Sequence, residues 1–129
     1  MNLKKKILII EDSADIQETL SEILEAQGYS VELASNGKDG MDRLINREPP
    51  ELILLDLRMP VMGGEEFRKL QLQIPYLSRI PVIVMSADSC VNRRANVLKT
   101  ERILKKPFHI EDLMNLMKEA LPTEQVQSP

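Results

Sequence analysis

The chain has 129 residues, 43% hydrophobic and 29% charged, with a formal net charge of −3, which describes one compact domain (residues 1–121, with a polar tail over 122–129) rather than a generic nucleic-acid binder. The single cysteine, Cys90, has no partner for an internal disulfide, and with His109 the sole histidine a structural zinc site is not expected; a reducing cytoplasm is the natural setting. Glu11 and Asp12 end the N-terminal apolar run short of a signal-peptide core, and no stretch reaches membrane-spanning length.

Taken in order, Ile7-Leu8-Ile9-Ile10 reads as a strand ending in Glu11-Asp12, with Ser13 placed to cap the helix that follows. Ile16, Leu20, Ile23 and Leu24 recur at helical spacing, and Gly28 stands where a helix C-cap belongs. Val31 and Leu33 alternate with polar residues, as at a sheet edge. Asn36-Gly37 turns into a second helix with Met41, Leu44 and Ile45 inward, stopped by Pro49-Pro50. Leu52 to Leu55 is a fully apolar strand ending on Asp56, followed by a Met59-Pro60 loop and a helix from about 64 to 73 that buries Phe67 and Leu70, with Pro75 breaking it. Pro81 to Met85 is another apolar strand, ending in Ser86-Ala87-Asp88. A thinly apolar helix over 89–98, a short strand at Arg102-Ile103-Leu104 and a last helix carrying Ile110, Leu113, Met114, Met117 and Leu121 complete the order.

Alternating strands and helices, five of each, call for parallel crossovers. The strands at 7–10, 52–55 and 81–85 are apolar throughout and belong inside; the other two are half polar and belong at the edges. Strand order 2-1-3-4-5 satisfies this. It is the flavodoxin-like doubly wound α/β arrangement, in which ligands sit beyond the carboxyl ends of the strands.

That topology brings Glu11, Asp12, Asp56, Ser86 and Lys106 to one rim. Each alone has an ordinary structural reading as a strand end, a helix cap or a solvated charge. Together they ask for more: three carboxylates repel unless a cation sits among them, and an all-oxygen set suits Mg²⁺. Lys106 and the Ser86 hydroxyl become useful if a further anion arrives, and a phosphoryl group is the natural one, with Asp56 its acceptor.

The motifs ILIIED, LILLDLRMPVMGG, PVIVMSA and KKPF, spread from about Lys5 to Leu121, resemble the receiver domain of the two-component response-regulator family. The resemblance implies that Glu11 and Asp12 bind Mg²⁺ with Asp56, and that the backbone carbonyl of Arg58 completes the metal shell. It further implies that Asp56 accepts the phosphoryl group from a histidine kinase or histidine phosphotransfer protein, and that Ser86 and Lys106 hold the phosphoryl oxygens. Pro107 would follow a cis peptide bond. Such a domain is a kinase substrate rather than an enzyme, assisting only its own phosphotransfer and autodephosphorylation; Arg58 and Asp88 are the residues expected to set the latter rate. The partner-binding face would be the helix at 89–98, strand five and the last helix.

Four positions depart from the family pattern. Ile103 stands where an aromatic switch residue is usual, Lys99-Thr100 replaces Gly-Ala, and Gly63 replaces an acid. A phosphorylation-independent receiver-like binding module is therefore the alternative. A phosphatase working through an aspartyl-phosphate is a third reading, weakened because Arg58 occupies the place of its general acid. Arg93, Arg94, Lys99, Arg102, Lys105 and Lys106 face one acid, Glu101, across 93–106, a basic stretch that reads first as an ordinary solvated face and, as the alternative, as a surface for an acidic downstream protein target or second receiver. Direct DNA binding is not expected, since no DNA-reading motif follows.

Overall fold

The computed structural model describes residues 4–58, 62–87 and 98–121. Its elements are β1 (Lys6–Ile10), α1 (Ala14–Ala26), β2 (Ser30–Ala34), α2 (Gly37–Asn46), β3 (Leu52–Asp56), α3 (Gly64–Gln73), α4 (Pro75–Ser78), β4 (Val82–Ser86), β5 (Ile103–Lys105) and α5 (Ile110–Ala120). The strands form one sheet in the order β2-β1-β3-β4-β5 with every pairing parallel, the flavodoxin-like arrangement expected.

Alternation along the inner strands splits the core into two layers. Leu8, Ile10, Ile53, Leu55, Val82 and Val84 point to the side covered by Met41 and Leu44 of α2, Phe67 of α3 and Leu77 of α4. Ile7, Ile9, Leu52, Leu54, Ile83 and Met85 point to the side covered by Leu20 and Leu24 of α1 and Leu113 and Met117 of α5. Both faces of these strands are dry, which is why their sequences are apolar without alternation.

The punctuation follows the sequence closely. Ser13 accepts a hydrogen bond from Ile16 N at 3.3 Å as the N-cap of α1. Gly28 takes φ +96° beyond its C-terminus, while Tyr29 N donates to Leu24 O at 3.1 Å, a left-handed stop that a side chain would resist.

Several expectations need correction. Pro75 does more than break α3: it is the first residue of the one-turn α4, where its fixed φ and missing N–H are no handicap. Ile45 and Ile110, assigned inward by spacing, are each 53% exposed: Ile45 lies at the margin of its helix's buried stripe, and Ile110 is the first residue of its helix, a turn before the first buried position. Strand five lies one residue later than expected, at Ile103–Lys105. The helix expected over 89–98 lies outside the described residues except for Leu98, which is fully buried. Met59-Pro60, Asp88, Cys90, Arg93, Arg94 and the tail over 122–129 also lie outside them.

Helix α3 holds an arrangement that the apolar reading passes over. Its buried residues are Gly64, Phe67, Arg68 and Gln71, a regular inward stripe in which two of four positions are polar. Arg68 donates through Nε to Leu98 O at 2.7 Å, through Nη1 to Gln71 Oε1 at 2.7 Å and through Nη2 to Lys99 O at 3.0 Å. Gln71 Nε2 in turn donates to Leu77 O and Ile80 O. One pair of side chains thus ties α3 both to the 98–99 turn and to the α4 turn.

Candidate functional site

Because all five strands run the same way, their carboxyl ends meet at one edge, and the backbone there is tightly registered. Glu11 N donates to Ala34 O at 3.0 Å, Leu57 N to Met85 O at 3.1 Å and Lys106 N to Ser86 O at 2.9 Å. These bonds fix the residues that begin the loops as firmly as those that end the strands. Gly64, at the start of α3, lies so close to the strand exit that a Cβ would come within 2.6 Å of Asp56 O and 2.9 Å of Leu57 Cα. Backbone packed on backbone has no way to yield, so this glycine keeps α3 against the acid-bearing turn.

Carboxylate oxygens of Glu11, Asp12 and Asp56 all lie within 4.8 Å of one another. Glu11 and Asp56 are only 1% and 5% exposed, whereas Asp12 opens to solvent. Lys106 Nζ reaches between the two buried acids, 2.9 Å from Glu11 Oε1 and 3.3 Å from Asp56 Oδ1. Ser86 is buried beside them at the end of β4. The Lys106-Pro107 bond is cis, as expected.

Backbone amides add to the carboxylates' partners. Ser13 N donates to Glu11 Oε2 at 3.1 Å, and Arg58 N to Asp56 Oδ1 at 3.4 Å. Gln17 Nε2 holds Glu11 O at 2.5 Å from the first turns of α1. The sequence reading passes over Gln17 and the Ser13 amide, although Gln17 follows the acid pair at a distance that lets α1 reach back over its own N-terminus. Arg58 is exposed beside the site.

The electrostatics are those of an incomplete charge set. Burial pushes the Glu11 carboxyl above its ordinary range, and neighbouring Asp56 adds to this against the lowering effect of Lys106 and the Ser13 amide. Burial works against the Lys106 ammonium too, but its hydrogen bond to Glu11 and the charge of Asp56 outweigh that and raise it. Three carboxylates against one ammonium leave an excess of two negative charges, the charge of one divalent cation. The donors are all oxygen and one is solvated, which fits Mg²⁺ better than a thiolate- or imidazole-seeking metal. The five residues expected at the rim, Glu11, Asp12, Asp56, Ser86 and Lys106, all stand at the same sheet edge, and Arg58 follows Asp56 by two residues in the loop that leaves it.

Among the described residues no helix is long and apolar enough to cross a membrane.

Comparison with known proteins agrees with this geometry. A sequence model of the family described as "Response regulator receiver domain" matches residues 7–118. The chain is 34% identical over 117 residues to the response regulator receiver protein CpdR of Brucella abortus, covering 91% of this chain and 97% of that one. It is 29% identical over 120 residues to sporulation initiation phosphotransferase F of Bacillus subtilis, covering 93% and 96%. Among solved structures, the chemotaxis response regulator CheY4 of Vibrio cholerae superposes with a TM-score of 0.83 at 26% identity, covering 92% of this chain and 100% of that one. With the family match spanning most of the chain, the fold in its parallel 2-1-3-4-5 order and the acids at its carboxyl edge, the protein belongs to the response regulator receiver domain family.

Proposed function

We propose that this receiver domain is a phosphorylation-dependent signalling switch whose acceptor is Asp56. The observation that carries the reading is Lys106 Nζ set between Glu11 and Asp56, with the Asp12 carboxylate in the same cluster. In the transfer, an Asp56 carboxylate oxygen forms a bond to phosphorus as the phosphorus–nitrogen bond of a phosphohistidine breaks. The imidazole leaves with its electron pair and takes up a proton. Lys106 and Ser86 bind the phosphoryl oxygens, where their positive charge and hydroxyl stabilise the charge that builds in the transition state. Glu11, Asp12, Asp56 and the backbone carbonyl of Arg58 would hold Mg²⁺, which supplies charge neutralisation for the approaching phosphate.

The donor, a histidine kinase or histidine phosphotransfer protein, must cover this rim to bring its histidine to Asp56. An apolar groove opens beside Lys106, lined by Ile16, Thr19, Ile23, Pro107, Phe108 and Ile110, and it supports docking of that donor here. The half-exposed Ile110 then has a purpose on this face. A downstream protein target or second receiver would read the change on the side carrying β5 and α5.

The alternative is a binding module that signals without phosphate, favoured by Ile103. This aliphatic residue on β5 packs partly buried against the core layer that includes Val84 and Leu98, so no aromatic ring is available to turn inward there. The complete acid, hydroxyl and lysine set favours the phosphorylated switch.

The test is the intact mass of the chain after incubation with acetyl phosphate and Mg²⁺, beside an Asp56→Asn variant and a chelated sample. A gain of one phosphate that needs both Asp56 and the metal is the expected result. Absence of any gain with acetyl phosphate and with phosphohistidine donors would leave the phosphate-independent module. The lifetime of the phosphate should also change on Arg58→Ala; an unaltered lifetime would remove Arg58 from that role.

A further inference from the structure

Far from the acidic rim, at the opposite edge of the sheet where β4 and β5 begin, lies a cavity of about 920 Å³. Its lining includes Arg68, Arg79, Lys99 and Arg102 with the acids Glu101 and Glu119. A volume of this size admits a small organic molecule, and a lining this polar selects against an apolar one.

The cations here are poorly neutralised. Arg68 forms the floor at 6% exposure, and its three hydrogen bonds go to two backbone carbonyls and an amide oxygen. Its contacts therefore satisfy the donors and leave the charge, and burial lowers its pKa accordingly. Arg79 and Lys99 are exposed and make no ion pair among the described residues. Arg102 Nε is buried without a hydrogen-bond partner, with Glu119 Oε1 at 3.9 Å, too far to supply one. Of the two acids in the lining, Glu101 is exposed and the Glu119 side chain is 63% exposed and solvated, while Arg102 Nη2 donates to the Glu119 backbone oxygen at 3.4 Å. Four cations against two acids leave an excess of two positive charges.

We propose that this cavity binds a small molecule bearing a diphosphate group, with Arg79, Lys99 and Arg102 as its charged contacts and Arg68 as the fixed positive floor. Guanidinium groups suit phosphate oxygens because their paired N–H donors match them in geometry as well as charge. The site is separate from the phosphoacceptor, and its occupancy would load the turn at 98–99 that Arg68 already grips.

The experiment titrates pyrophosphate, ADP and adenosine separately into the isotope-labelled full chain in the presence of a chelator, and follows backbone amide shifts by NMR. Saturable shifts at Arg79, Thr100 and Arg102 with pyrophosphate and ADP, weakened by added salt, are expected. ADP binding tighter than pyrophosphate would identify a nucleotide, and equal binding a diphosphate alone. Adenosine binding as well as ADP would overturn the proposal, as would shifts confined to the Glu11 and Lys106 rim or no saturable shift. An Arg79→Gln, Arg102→Gln double variant, its fold checked by the same spectrum, should lose at least about tenfold in affinity. The exposed Lys99→Gln variant should also weaken binding; unchanged affinity in both variants would sink the assignment.

Discussion

Lys106 Nζ stands 3.3 Å from Asp56 Oδ1 while holding Glu11 Oε1 at 2.9 Å, so a single cation serves both buried acids at once. On the proposed function, that ammonium would compete with a metal for the same carboxylates and would also bind a phosphoryl oxygen. Lys106→Ala is therefore expected to act in opposite directions on two observables. Phosphorylation by acetyl phosphate should slow by about a hundredfold, while Mg²⁺ affinity measured calorimetrically should rise. A variant in which metal affinity falls would show that Lys106 organises the acids instead of competing for them.

On the far edge of the sheet, Glu32 of β2 is a charge hub. Lys6, Arg43 and Arg47 approach its carboxylate at 3.2, 3.1 and 2.7 Å, and its side chain is only 12% exposed. Burial raises the Glu32 pKa, but the hydrogen bonds from Lys6 and Arg43 and the charge of Arg47 overcome it, leaving it below its ordinary value of 4.5. A depressed folded-state pKa means that the ionised group contributes stability above that ordinary value, and that the contribution is lost as pH falls through the lowered one. Glu32→Gln should cost about 1–2 kcal/mol at neutral pH, with the gap from the parent closing under acid. Denaturant melts across pH measure this; a gap that persists at low pH would assign the cost to packing.

Arg68 links α3 to the 98–99 turn, and its replacement by methionine keeps the stem while removing every donor. Leu98 O, Lys99 O and Gln71 Oε1 would each lose a partner in a buried setting. The expected loss is about 2–4 kcal/mol in urea unfolding. A loss under half of that would show that Gln71 and water take over the carbonyls.

Lys99 carries a φ of +55°, the left-handed region that L-residues with a side chain resist. Arg68 Nη2 holds its carbonyl at 3.0 Å in that conformation. Lys99→Gly should stabilise the fold by about 0.5–1 kcal/mol, since relief of the Cβ clash exceeds the extra unfolded-state freedom of glycine. A lower melting temperature in that variant would mean that the Lys99 side chain does structural work at the turn.

Much of this molecule was legible in the chain because its signals are local or periodic. Unbroken apolar runs mark strands dry on both faces, Ser13 and Gly28 mark the limits of α1, and parallel topology alone sends Glu11, Asp12, Asp56, Ser86 and Lys106 to one edge. Tertiary structure decided the rest. It set Lys106 between two particular acids, made Arg68 and Gln71 a buried brace instead of surface polar residues, and left Ile45 and Ile110 outside the core that their spacing suggested. Periodicity reports which side of a helix faces inward, but not what that side meets. At α3 it meets buried backbone carbonyls of two turns, and only long donors can satisfy them, so the same inward stripe that takes Phe67 also takes an arginine and a glutamine.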